Sequence, residues 1–184
     1  MEQQNGTPTI IGDQKRVQME REIDPIKLNE LRERMKEEQN PIMGILSGLL
    51  AAIIGAVIWA AITVITTYQI GWMAIGVAFL VGWSVRRWGR GVDKYFGIFG
   101  AALALFGCLL GNILTIAAIV SREEAVNLFS VLGLLILNPG STFEILKETF
   151  SVTDLLFYGF AVYYGYKYSF RTVTKEEAEQ LYKK

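Results

Sequence analysis

Histidine is missing from the 184-residue chain, and cysteine occurs once, as Cys108. A lone cysteine excludes an internal disulfide and any cysteine-based zinc site. Without histidine the commonest metal ligand and the commonest general base at neutral pH are gone. The chain also lacks a G-x-x-x-x-G-K-[ST] phosphate loop and a G-x-S-x-G nucleophile turn. These absences argue against an enzyme; no catalytic residue, metal or cofactor is expected. Lys plus Arg and Asp plus Glu are 18 each, so no net basic charge invites nucleic acid. The start, Met1-Glu2-Gln3-Gln4, lacks the basic-then-apolar pattern of a cleavable secretory signal.

Charge is absent from long stretches as well. Between Ile42 and Val120 the charged residues are Arg86, Arg87, Arg90, Asp93 and Lys94, all in one short cluster. Ile42–Thr67 and Tyr95–Val120 are uncharged runs of 26 residues each, and Ile70–Val85 adds 16 more. Crossing about 30 Å of hydrocarbon takes about 20 apolar residues at about 1.5 Å each. Further on, Leu155 to Phe170 is rich in Phe and Tyr with Lys167 near its end, and is marginal in length. The expectation is an all-α polytopic membrane protein with four transmembrane helices, at about 42–67, 70–85, 95–120 and 154–170. The lipid bilayer is then the first partner.

The cations orient these spans. With the N-terminus inside, 16 of the 18 Lys and Arg fall on the inner side: seven before residue 42, four in 86–94 and five from Lys167 onward. Only Arg122 and Lys147 fall outside. By the positive-inside rule this predicts N-in, C-in. Five cations would change sides if the fourth helix did not cross. Arg86, Arg87, Arg90 and Lys94 are thus topology anchors first; contact with anionic lipid is the rival role.

Small residues recur on the spans. Gly44 and Gly48 make a strict G-x-x-x-G that continues at Ala52, and Ala74, Ala78 and Gly82 make a second stripe. The second is expected to face the first across a tight turn at about 67–70. Gly97, Ala101, Ala104 and Gly111 line the third span, with Cys108 as a packing residue and Asn112 seeking an interhelical hydrogen bond. Such faces let helices approach closely. They serve packing within the chain, a homodimer seam, or contact with other membrane subunits.

The flanks are polar. Residues 1–23 read as a tail. Asp24-Pro25 is a helix start, and Leu28, Leu31 and Met35 form a narrow apolar stripe on a helix at 25–39. That stripe serves a juxtamembrane helix or contacts a cytoplasmic partner. Asn40-Pro41 is read as its stop. Ser121 and Glu124 read as a capping box opening a new segment. The apolar run Ala125–Leu137 is too short to cross, and Asn138-Pro139-Gly140-Ser141 ends it. An amphipathic stretch, 142–150, follows. The segment 122–150 is therefore expected at the outer surface, lying in the interface or re-entrant. Thr174 with Glu177 is a second capping box, opening a tail helix. The organisation is a cytoplasmic tail at 1–41, a transmembrane domain at 42–170 and a cytoplasmic tail at 171–184.

The stretch Thr67-Tyr68-Gln69-Ile70-Gly71-Trp72-Met73-Ala74-Ile75-Gly76-Val77, with Gly55-Ala56-Val57-Ile58-Trp59-Ala60 before it, resembles an uncharacterised bacterial multi-span inner-membrane module. The resemblance covers about residues 44–118. It implies a bacterial inner (plasma) membrane and supplies no catalytic residues. Proteins that join such a module to a zinc ribbon need cysteines this chain lacks. With no charge inside the clear spans, a proton-coupled carrier is disfavoured. The expected function is a small accessory or scaffold subunit of a larger membrane complex. The alternative is a channel or carrier for a neutral or hydrophobic small molecule, resting on Asn112, the tyrosines of 158–168 and the 122–150 segment.

Overall fold

The computed structural model describes residues 24–66, 71–149 and 152–181. The polar tail 1–23 and the tight turn at 67–70 lie outside the described residues. Helix makes up 85% of what is described, and no strand occurs there. The chain divides into two compact units.

The first unit contains α1 (Pro25–Glu37), from before the apolar block, and a short helix from after it. Pro25 opens α1 where no N–H is needed, and Asp24 Oδ1 accepts from Ile26 N at 3.0 Å. The helix stops at Glu37, two residues short of the expected end. Asp24 N donates to Leu181 O at 2.8 Å, and an Arg34 guanidinium nitrogen stands 3.8 Å from Glu177 Oε1.

The second unit, Glu38–Arg171, begins with α2 (Pro41–Thr66). Asn40-Pro41, expected as a stop for α1, lies beyond its end and also starts the next helix. Asn40 Oδ1 accepts from Met43 N at 3.0 Å, and Pro41 takes the first helical position. α3 (Met73–Gly89) begins three residues later than expected and runs four residues further. Arg86 and Arg87 are therefore its last turn, not a loop. α4 (Lys94–Glu123) is longer than expected, 30 residues or about 45 Å. Its last turn takes up the expected capping box, with Glu124 as the C-cap. Ser121 is helical, and its hydroxyl donates to Val126 O at 2.6 Å. Ala125 turns the chain at φ 51°, and Asn127 caps the next helix by accepting from Phe129 N at 2.8 Å.

That helix is α5 (Leu128–Leu137), followed by α6 (Pro139–Thr149) at a bend of 103°. α7 (Val152–Tyr168) completes the second unit, and α8 (Lys175–Glu179) belongs to the first. Its capping box is reciprocal: Thr174 Oγ1 accepts from Glu177 N, and Glu177 Oε2 accepts from Thr174 N.

α2 and α4 are each long and apolar enough to cross a membrane, and α5 with α6 would add a third if that bent pair is one span. α3 and α4 touch each other and both touch α2 and α7, so α2 and α7 flank a central pair. Neighbours α2–α3 and α4–α7 are antiparallel, as the residues that meet show: Gly55 with Val77 and Gly48 with Val85; Ala104 with Gly165 and Gly97 with Phe170.

The core is built from small side chains. Ala52, Ala56, Ala74, Ala78, Ala104 and Ala161 are fully buried, with Trp59, Val81 and Val85 the large exceptions. Large apolar residues point outward, among them Leu46, Leu50, Ile54 and Ile58 on α2 and Phe79 and Trp83 on α3. A water-soluble bundle shows the reverse arrangement. In lipid the arrangement is natural, because association is driven by close packing and not by hiding apolar surface.

Candidate functional site

Two regions of the second unit gather polar side chains from different helices or loops. One lies where the chain enters α2, passes from α3 to α4, and leaves α7. Gln39 is its centre. Its Oε1 accepts from Val92 N at 3.0 Å and Asp93 N at 3.2 Å, while Nε2 donates to Asp93 Oδ2 at 3.0 Å. Asn40 N donates to Gly89 O at 2.9 Å, and Arg171 N donates to Gly91 O at 2.8 Å. Glu38 Oε2 accepts from Arg171 Nη1 at 2.7 Å and lies 3.9 Å from Arg90 Nη1. Three chain segments are tied into one clasp.

Local sequence explains the shape of this loop. Arg90 takes the left-handed conformation at φ 48° that a glycine usually fills. Gly89 and Gly91 stand on either side, but both positions are needed for close approach. A Cβ on Gly89 would stand 2.9 Å from Gly44 Cα, and one on Gly91 would run into the Phe96 ring. The four expected anchor cations do not share a pocket. Arg86 is half-buried at the end of α3, Arg87 lies 5.8 Å from the Trp88 ring centre, Arg90 faces Glu38, and Lys94 is exposed at the start of α4.

The second polar region is inside the bundle. Asn112 Nδ2 donates to the Tyr158 hydroxyl, joining α4 to α7. Thr115 Oγ1 donates to Gly111 O at 2.8 Å. Gly111 faces Trp59, whose Nε1 is buried without a hydrogen-bond partner; the same holds for Thr63 Oγ1 one turn on. Tyr158 as the partner of Asn112 was not singled out in the sequence. Its position among seven other aromatic residues of 157–170 hid it. A double-mutant cycle with Asn112→Leu and Tyr158→Phe, read by unfolding in detergent, is expected to give a coupling of about 0.6–1.7 kcal/mol. Additive effects would show that the pair does not hold α4 to α7.

The small stripes sort onto particular neighbours. Gly44 meets Gly89 and Phe96; Gly48 meets Val85 and Leu103; Ala52 meets Gly107. The expected match between the α2 and α3 stripes is not how these helices meet. Val77 and Val85, not Ala78 and Gly82, fill the notches of α2, and Gly82 faces Tyr168 and Gly165 of α7. α4 divides its face in two: Gly97, Gly100, Ala101 and Ala104 lie against α7 and the residues just after it, whereas Gly107 lies between Val77 of α3 and Ala52 of α2, and Gly111 lies against α2. The α2 stripe is buried within the chain and leaves no free homodimer seam on that face.

In the first unit, Leu31 and Met35 of the expected stripe are buried and Leu28 is half-buried. A cleft of about 540 Å³ opens beside it, lined by Lys27, Glu30, Leu31 and Arg34 of α1 and by Glu179, Gln180 and Leu181.

Fold and sites together define a helical membrane protein whose polar groups tie its own helices together. Comparison with protein-family models, with curated proteins and with solved structures returned no match.

Proposed function

We propose that the chain is a small accessory or scaffold subunit of a larger complex in a bacterial inner membrane. It crosses four times, with both termini in the cytoplasm. The observation that carries this reading is the closed bundle. Backbones meet at Gly44–Gly89 and Gly100–Gly165, valines fill the remaining notches, and the Gln39 clasp locks one end. A rigid bundle of this kind suits holding a position better than moving a substrate. α7 adds the fourth crossing because it runs antiparallel along α4 from Asn112 to Gly97. The cleft of the first unit, with Lys27, Glu30, Arg34 and Glu179 around Leu31 and Leu181, is the partner surface under this reading.

Purification in mild detergent, with a photo-cross-linking residue at Glu30, tests it. The expected result is one membrane partner in fixed ratio. Glu30→Lys should cut recovery about tenfold while leaving the bundle's melting temperature unchanged. A monodisperse protein that carries no partner and forms no cross-link would refute the proposal.

The alternative, a channel or carrier for a neutral small molecule, is favoured by one observation. Trp59 Nε1 and Thr63 Oγ1 offer two unpaired polar atoms in the interior. Liposome flux that is unaltered by Thr63→Val and by Asn112→Leu would remove that basis.

A further inference from the structure

We propose that α5 and α6 form a re-entrant hairpin, which enters and leaves the bilayer from one face with its Asn138-Pro139 turn among acyl chains. The proposal rests on the reading of α2 and α4 as membrane spans. It decides between a third, broken span and a non-crossing hairpin.

The path of the chain is the first observation. Arg171 N bonds to Gly91 O, so α7 ends where α4 begins. At the other end of the bundle the Trp72 and Phe157 rings lie tilted against each other with centres 6.1 Å apart, and Asn112 holds Tyr158. α4 therefore leaves, and α7 enters, at that same end. Whatever lies between them makes no net crossing.

The direction of α5 is the second. After the turn at Ala125 it packs back on α4. Leu135 and Ile136, in its last turn, line an apolar cleft of about 310 Å³ with Ile113. Ile113 is ten residues before the end of α4, about 15 Å back along the helix. The hairpin thus returns toward the apolar belt. α4 is about 15 Å longer than the hydrocarbon is thick, so the descent begins above the acyl region.

The chemistry of the turn is the third. A helix end in water leaves its last carbonyls to the solvent; in lipid they must be satisfied internally. Leu134 O accepts from both Asn138 N, at 3.0 Å, and Asn138 Nδ2, at 2.9 Å. Leu135 O accepts from Thr142 Oγ1 at 2.6 Å, and Asn138 O accepts from Thr142 N at 3.0 Å. Pro139 has no N–H to satisfy. Beside this turn, whose Asn138 and Ser141 are themselves exposed, large apolar side chains point outward: Ile136 is 73% exposed, Leu137 79% and Phe143 68%. α5 carries no charge. The first charge after the turn, Glu144, comes five residues past Pro139, about 7 Å of helix. Glu144, Lys147 and Glu148 thus limit the tip to the upper acyl region, at the depth of about 5–10 Å typical of interfacial helices. Acyl chains are the occupant that matches these properties, and the surface is continuous with the apolar exterior of the bundle.

Spin labels test this in liposomes of phosphatidylethanolamine and phosphatidylglycerol, in a Cys108→Ser background. Single cysteines replace Leu137 and Gly140 at the tip, Glu124 and Glu148 on the limbs, and Ile54 and Phe106 on the spans. A Cβ at Gly140 meets nothing within 4 Å, and Leu137 is exposed, so these variants should fold. The tip labels should collide several-fold more with oxygen than with a water-soluble nickel chelate. Glu124→Cys and Glu148→Cys should favour the chelate and react with an impermeant thiol reagent from the same side. Chelate access at the tip, or limb labelling from opposite sides, overturns the hairpin. If the Ile54 and Phe106 positions also favour the chelate, the membrane reading itself fails.

Discussion

Gly100→Leu is expected to lower the melting temperature of the detergent-solubilised protein more than any other single change on the bundle's interior. A Cβ at Gly100 would stand 2.5 Å from Gly165 O and would collide with the Ser169 hydroxyl. Neither obstacle is the free end of a flexible chain. Gly165 O is backbone, and Ser169 is fully buried with its hydroxyl donating to Gly165 O at 2.6 Å. α4 and α7 must separate, and the separation propagates to Ala104 and Ala161, which have no spare volume. Overpacking typically costs about 1–3 kcal/mol. Here the upper end applies, because a helix–helix contact in lipid has no hydrophobic driving force to restore it. Even Gly100→Ala should cost about 1–2 kcal/mol on this scale. Gly76→Ala is the control: nothing lies within 4 Å of its added Cβ, so the helix gains about 0.5–1 kcal/mol. If both alanine variants melt alike, the α4–α7 seam is not as close as described.

The contrast shows what could be read from the sequence. Helix class, the long spans and the small faces were legible, because charge depletion and four-residue spacing are local one-dimensional patterns. The pairing of faces was not. Ala74, Ala78 and Gly82 suggested a small-on-small match with α2, but Val77 and Val85 enter the notches at Gly55 and Gly48. A glycine notch is filled as well by a branched side chain as by another glycine, and spacing does not distinguish them. Capping signals gave mixed results for a similar reason. Thr174 leaves helical geometry at φ −73°, ψ 163°, and its capping box forms. Ser121 stays inside α4, where Glu124 N continues to Val120 O, so the donors a capping box would satisfy are already bonded. Asn40-Pro41 was ambiguous by nature, since proline after an Asx residue both stops one helix and starts the next. The clasp was hidden because its centre, Gln39, is one uncharged residue bonded to positions 53 and 54 further along the chain.

Gln39→Leu is expected to be the most disruptive change outside the helix seams. Leucine keeps the approximate volume and removes all three hydrogen bonds. Val92 N and Asp93 N would then be left without their acceptor in a partly buried loop. An unmet donor costs about 1–3 kcal/mol, and the loss of one to the full extent is the minimum. The neighbouring ion pair does not offset this: Glu38 is over a third exposed, and pairs of that kind contribute about 0–1 kcal/mol. The expected total is about 2–4 kcal/mol on this scale, seen as a lower melting temperature and as faster amide exchange at Val92 and Asp93. Gln39→Glu separates the two halves of the interaction. It retains an acceptor for the two N–H groups but puts a carboxylate where the amide donated to Asp93 Oδ2. If the loop is held by acceptance alone, the glutamate variant should approach the native stability. If the donated bond matters equally, repulsion from Asp93 should make it as unstable as the leucine variant, and the clasp geometry predicts this second outcome. Amide exchange at Val92 that is unchanged in both variants would mean that Gln39 does not hold the loop.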